Sequence, residues 1–172
     1  MFNPDLRGVL KNHLSRYSLV TATAKRAREI SENAEENKML EYAEYAGNYY
    51  GTPADPVDEM LRQGKAVFLE IEVQGAEKIR NLYDSVISIF ILPPSMAVLE
   101  ERLRGRGSED EETLQHRLFI AREEIKRAAE YDYVVVNDTV EQAVADIRMI
   151  IDSERKKTIR NKKLISEVIN NV

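Results

Sequence analysis

The sequence predicts an α/β domain built around a parallel sheet. Three runs, AVFLEIEV (66–73), VISIFIL (86–92) and YVVVN (133–137), are apolar or β-branched almost throughout. Such runs suit parallel strands covered on both faces. Helix-starting signals stand between and after them, so strand and helix alternate along the chain. A length of 172 residues fits one domain with its own hydrophobic core. No internal repeat or low-complexity linker divides it.

Taken in order, Tyr17 to Thr21 (YSLVT) reads as a short strand, and Arg26 to Lys38 as an exposed, charged helix. Gly64 has the position of a helix C-cap glycine and leads into the strand Ala66 to Val73. Val86 to Leu92 and Tyr133 to Asn137 are the other two strands. Ser95, after Pro93 and Pro94, caps a helix from Met96 to Arg104. Ser108-Glu109-Asp110-Glu111 has capping-box spacing and opens a long helix to about Tyr131. Thr139-Val140-Glu141-Gln142 repeats that spacing before a helix with Val140, Ala143, Val144, Ile147, Ile150 and Ile151 on its apolar face. The Lys- and Arg-rich tail from Glu154 to Lys163 reads as a solvated helix end.

Composition narrows the function classes. With 43% hydrophobic and 32% charged residues the chain is of globular type. A net charge of −5 argues against nucleic acid or an anionic membrane as partner, although local arginines can still bind a nucleotide phosphate. There is no cysteine, hence no thiol chemistry. No apolar stretch is long enough to span a bilayer, and Met1-Phe2-Asn3-Pro4 does not open a signal peptide, so the cytoplasm is the expected compartment. His13 and His116 lack partners at metal-ligand spacing.

Three constellations carry chemistry. Strand periodicity puts Glu70 and Glu72 on one face of FLEIEVQG, with Leu69, Ile71 and Val73 on the other. Two carboxylates at the carboxyl end of a buried strand need a ligand, a cation or donors; the plainer alternative is an ion pair with a nearby Arg. In EYAEYAGNYYGT (41–52), Gly51 after paired tyrosines suggests a tight turn gathering phenol and hydroxyl groups, whose donors can bind a phosphate, while a carboxylate can accept from a guanine N–H edge. The alternative is a hairpin with exposed tyrosines. Arg102, Arg104 and Arg106 (RLRGRG), followed by Arg117 and Arg122, suit a mobile lid closing over phosphates, with Arg102 and Arg106 one helical turn apart. Here the alternative is a solvated face neutralised by Glu100, Glu101 and Glu109 to Glu112.

The phosphate cradle G-x-x-x-x-G-K-[ST] does not occur in these 172 residues. Of the seven glycines, only Gly64 precedes a lysine, and Ala66 and Glu59 then stand where the motif needs Ser or Thr and its first Gly.

Read together, EYAEYAGNYYGTP (41–53), FLEIEVQG (68–75), IFILPPS (89–95), ERLRGRGSEDEE (101–112), AREEI (121–125) and YDYVVVND (131–138) resemble the guanylate kinase family in order and spacing. The resemblance covers about two thirds of the chain. It implies a three-layer α/β/α, P-loop-NTPase-like core in a single domain over residues 1–172. Within it, 21–63 would be a shortened GMP-binding segment and 99–130 a lid. The implied activity is ATP-dependent phosphorylation of GMP, with Mg2+ accompanying the donor. By position, Glu41 would read guanine, Tyr50 would hold the GMP phosphate and Thr52 would contact the base. Glu70 would flank the guanine and Glu72 the phosphates. Arg102, Arg106 and Arg117 would stabilise the transferring phosphoryl group, and Asn137 would lie beside adenine. That mix of acids, hydroxyls and arginines suits phosphoryl transfer, which is mostly positioning and charge neutralisation.

The N-terminal part departs from the family pattern. TATAKRARE (21–29) resembles the family's S-A-T-T-R-x-x-R-x-G-E, with Thr21 for Ser, Lys25 for the first Arg, Arg28 kept, and Ile30 and Ser31 for the Gly-Glu pair. Lysine offers a point charge where the family has a bidentate fork, so grip on the GMP phosphate should weaken. The stretch from Ser31 to Glu41 is too short for a further phosphate-binding Tyr. LRGVLKNHLSRYSL resembles the helix that normally follows the P-loop. The expectation is a core truncated at the N-terminus, short of one strand and impaired in transfer. Two alternative expectations are a truncated remnant and a catalytically silent binding module for phosphorylated or acidic peptides.

Overall fold

The computed structural model describes residues 18–20, 39–45, 48–105 and 110–170, with side chains left aside for 18–20 and 42–50. Thr21, Lys25, Arg28, Arg106, Ser108 and the helix expected from Arg26 to Lys38 lie outside the described residues.

Strands β1 (Ser18–Val20), β4 (Leu69–Glu70), β5 (Ser88–Leu92) and β6 (Tyr133–Val136) form one sheet in the order β4-β1-β5-β6. β5 and β6 are parallel, in register from Ile89 opposite Tyr133 to Leu92 opposite Val136. β1 runs against both β4 and β5, so β4, β5 and β6 share one direction and β1 alone is reversed. The sheet has helices on both faces. Phe90 points into a core with Leu69, Val57 of α1 (Ala54–Arg62), Ala76 and Ile79 of α2 (Val73–Leu82), Leu99 of α3 (Met96–Arg104) and Leu118 of α4 (Glu111–Lys126). Ile89 and Ile91 point the other way, onto Ala143, Val144 and Ile147 of α5 (Val140–Arg155). Both faces of β5 are therefore buried, which is why its sequence is apolar without alternation. A hairpin of β2 (Met39–Tyr45) and β3 (Asn48–Pro53) forms a separate two-stranded sheet that packs on α2.

Helix ends follow local chemistry. The Ser95 hydroxyl accepts from Val98 N–H at 3.1 Å, and the Thr139 hydroxyl accepts from Gln142 N–H at 3.2 Å. The cap of α4 is Asp110, accepting from Thr113 N–H at 2.8 Å, and a 3-10 turn takes over at Arg127. That helix therefore begins after Asp110 and ends before Tyr131. Gly64 closes α1 at φ +70, with its N–H on Leu61 O and Lys65 N–H on Met60 O. Those two bonds satisfy carbonyls that the helix end would leave open.

Three expectations are corrected. The strand Ala66 to Val73 shrinks to Leu69–Glu70, because β1 pairs with only those two residues and Val73 already opens α2. Gly51 is no turn residue; it lies inside β3 opposite Tyr42. The tail is not simply solvated either. Glu154, 3% exposed, accepts from the Tyr133 hydroxyl at 2.5 Å and pairs with Lys157 at 2.5 Å and Arg160 at 3.2 Å. A further helix, α6 (Lys162–Asn170), follows.

Candidate functional site

The candidate site lies where β4, β5 and β6 end. In open α/β sheets that edge is where ligands bind, because the loops leaving it converge and helix N-termini point at it. β4 ends on Glu70, which is exposed; Glu72 is half-buried at the N-cap of α2. The sheet alternation thus breaks between these two acids, and Glu72 is placed by the helix start instead of by the strand.

Glu41 and Thr52 stand directly opposite each other on β2 and β3. The Thr52 hydroxyl donates to Glu41 Oε1 at 2.6 Å, and the two residues are only 7% and 5% exposed. Gly75, in the first turn of α2, backs onto the same carboxylate. Burial raises the Glu41 carboxyl above its ordinary value and Glu72 adds to this, while the Thr52 hydroxyl and the charge of Lys78 oppose it. Tyr50, opposite Ala43 on β3, is described by its backbone only.

On the other side, Asn137 follows β6 and is buried, its N–H donating to Leu92 O at 2.7 Å. Arg102 of α3 donates to Asn137 O at 2.7 Å and to Asp138 O at 2.8 Å. The guanidinium therefore ties α3 to the loop after β6. α3 ends at Arg104, and Arg106 lies outside the described residues. Arg104 is committed to Glu100 and Glu111, as the neutralised-face alternative supposed for this arginine. Arg117 is half-buried on the inward face of α4, which also carries Leu114, Leu118 and Ala121.

Two residues of this region escaped the sequence reading. Glu124, two turns beyond Arg117 on the inward face of α4, is held at about 7 by burial and then by the charge of Glu72, with Arg127 pulling the other way. Its signal was the helical spacing Leu114, Arg117, Ala121, Glu124, Ala128. Gly75 is the other, and its signal was a glycine inside a helical stretch, which usually marks close approach. Glu72 is thus felt by both Glu41 and Glu124. Among the described residues no three carboxylate or imidazole groups converge to hold a metal. No helix among them is long and apolar enough to cross a membrane.

A helix-covered sheet with acids and a buried asparagine at its carboxyl edge defines an α/β domain with its candidate site at that edge. The sequence pattern of the guanylate kinase family matches residues 17–154. A guanylate kinase of Synechocystis sp. is 56% identical over 119 residues, 69% of this chain and 62% of that protein. One from Listeria innocua is 49% identical over 136 residues, 78% of this chain and 66% of that protein. One from Shouchella clausii is 45% identical over 145 residues, 84% and 71%. The crystal structure of guanylate kinase from Anaplasma phagocytophilum superimposes with a TM-score of 0.60 at 28% identity, covering 90% of this chain and 85% of that one. The chain belongs to the guanylate kinase family. It spans about two thirds of the length of these curated relatives, 62%, 66% and 71%.

Proposed function

We propose that the chain carries a GMP-binding site of guanylate kinase type, for ATP-dependent phosphorylation of GMP to GDP in cytoplasmic purine metabolism. The observation behind this is the buried Glu41–Thr52 pair, a carboxyl acceptor with a hydroxyl hydrogen-bonded to it. A carboxylate accepts from the two N–H groups on the guanine edge, while adenine offers no such edge. In this reading Glu70 flanks the base and Glu72 the acceptor phosphate. Tyr50, Thr21, Lys25 and Arg28 hold that phosphate, and Asn137 lies beside adenine. Arg102, Arg106 and Arg117 neutralise the transferring group as residues 99–130 close over 21–63. Arg102 spends one N–H of each terminal nitrogen on the carbonyls of Asn137 and Asp138, and the guanidinium has five donors in all.

Family resemblance implies Mg2+ with the ATP. The described donor set does not fit an ion held by protein alone. The 172 residues also hold no G-x-x-x-x-G-K-[ST] cradle for the β- and γ-phosphates. These residues alone should therefore recognise GMP but transfer phosphate several orders of magnitude more slowly than a complete site. Measuring GMP-dependent ADP formation beside GMP binding tests both halves. Saturable binding with very slow transfer is expected; fast GMP-dependent ADP formation would overturn the impairment.

A further inference from the structure

We propose that Gly75 is a specificity-determining position of the guanine pocket, because its missing side chain fixes where the Glu41 carboxylate stands. This rests on reading Glu41 as the guanine acid. The geometry is direct. A Cβ built on Gly75 would lie 2.7 Å from Glu41 Oε2, 3.1 Å from its Cδ and 3.3 Å from its Cγ. The three nearest atoms all belong to that one side chain.

Nothing in the backbone asks for glycine there. Among the described residues the only glycine at positive φ is Gly64. Gly75 sits in the first turn of α2, where alanine is the better helix former. The glycine therefore costs helix stability, and the contact with Glu41 is what it provides in return.

Glu41 has little freedom to move aside. Its other oxygen, Oε1, is held by the Thr52 hydroxyl at 2.6 Å, and both residues are buried. A carboxylate is planar and rigid, so pushing Oε2 away from α2 swings Oε1 as well. Recognition of two parallel N–H donors depends on that plane. A methyl group at position 75 would thus act on base discrimination, while ribose and phosphate contacts made elsewhere are untouched. The effect belongs in the ratio of GMP to AMP binding.

The test uses the full chain. GMP and AMP are titrated calorimetrically into wild type and Gly75→Ala, and thermal unfolding is followed for both in wild-type and Glu41→Ala backgrounds. We expect Gly75→Ala to weaken GMP binding by roughly 10- to 100-fold, the range for losing hydrogen bonds to a charged group, and to leave AMP unchanged. In the Glu41→Ala background the same substitution should leave the melting temperature equal or higher, since only helix propensity remains. Unchanged GMP affinity in Gly75→Ala would overturn the proposal. So would an equal loss of melting temperature in both backgrounds, which would make Gly75 a general packing residue. A wild type that does not prefer GMP to AMP would instead sink the guanine reading, and the unfolding comparison would still report whether Gly75 acts through Glu41.

Discussion

The Thr52 hydroxyl bonds to Glu41 Oε1 at 2.6 Å across facing positions of β2 and β3, so one hairpin register sets both the acid and its donor. A register slip of one residue would put the two side chains on opposite faces of the hairpin. The pair is thus a property of the hairpin as a unit, and the predictions below start from it.

Thr52→Val keeps the shape and removes the hydroxyl. Glu41 then remains buried with one donor fewer, which should cost about 1–3 kcal/mol of stability and a similar amount of GMP affinity. Urea unfolding and calorimetry on the same preparation check the two together. Thr52→Ser, which keeps the hydroxyl, should lose far less.

The pH dependence of base recognition follows from Glu41. Burial raises its carboxyl above the ordinary value, against the opposing pull of the Thr52 hydroxyl and Lys78. Its contribution to stability is present below the ordinary value of 4.5 and is lost as pH rises through the raised value. Guanine N–H donors favour the ionised form, so affinity should rise over the same interval. Guanosine is the better probe, since a nucleotide phosphate titrates near pH ~6 itself. Glu41→Gln should bind weakly and without that pH dependence.

Glu124 makes a separate prediction on stability alone. Its carboxyl is raised to about 7 by burial and by Glu72. Its contribution is complete below the ordinary value and lost as pH rises through about 7. Glu124→Gln should therefore match wild type at acid pH and exceed it in mildly alkaline solution, by roughly 1–2 kcal/mol. Chemical unfolding at the two pH extremes checks the sign.

Glu154 should behave in the opposite sense. Burial alone would raise its carboxyl, but hydrogen bonds from Lys157, Tyr133 and Arg160 together outweigh it and hold it low. Its stabilisation is present above the ordinary value and lost as pH falls through the lowered one. Glu154→Ala should cost about 1–3 kcal/mol near neutral pH, below the usual figure for a broken buried pair because Lys157 is half exposed and can re-solvate. The melting temperature of that variant should approach wild type in acid.

Much of the fold was legible in the sequence. The apolar runs of β5 and β6, the caps at Ser95 and Thr139 and the C-cap at Gly64 each encode their local structure within a few residues. What was not legible depends on partners distant in sequence. The length of β4 is limited to two residues by what β1 pairs with, and Glu72 moves from strand face to helix cap as a result. Glu154 looked like one more charge in a basic tail because its partner Tyr133 lies 21 residues away. In the site, Glu41 and Thr52 could be named from motif position, yet their mutual bond needed the hairpin register. Gly75 stood in plain view within FLEIEVQG, but its neighbour Glu41 is brought to it only by packing of the hairpin on α2.

In the proposed function the buried Glu41–Thr52 pair reads guanine. Calorimetric titration of the wild-type chain with GMP, with AMP as control, tests it most directly. Saturable GMP binding is expected, with AMP weaker by at least roughly tenfold, the equivalent of one good hydrogen bond to a charged group. Equal affinity for the two nucleotides, or no binding by a chain shown to be folded, would contradict it.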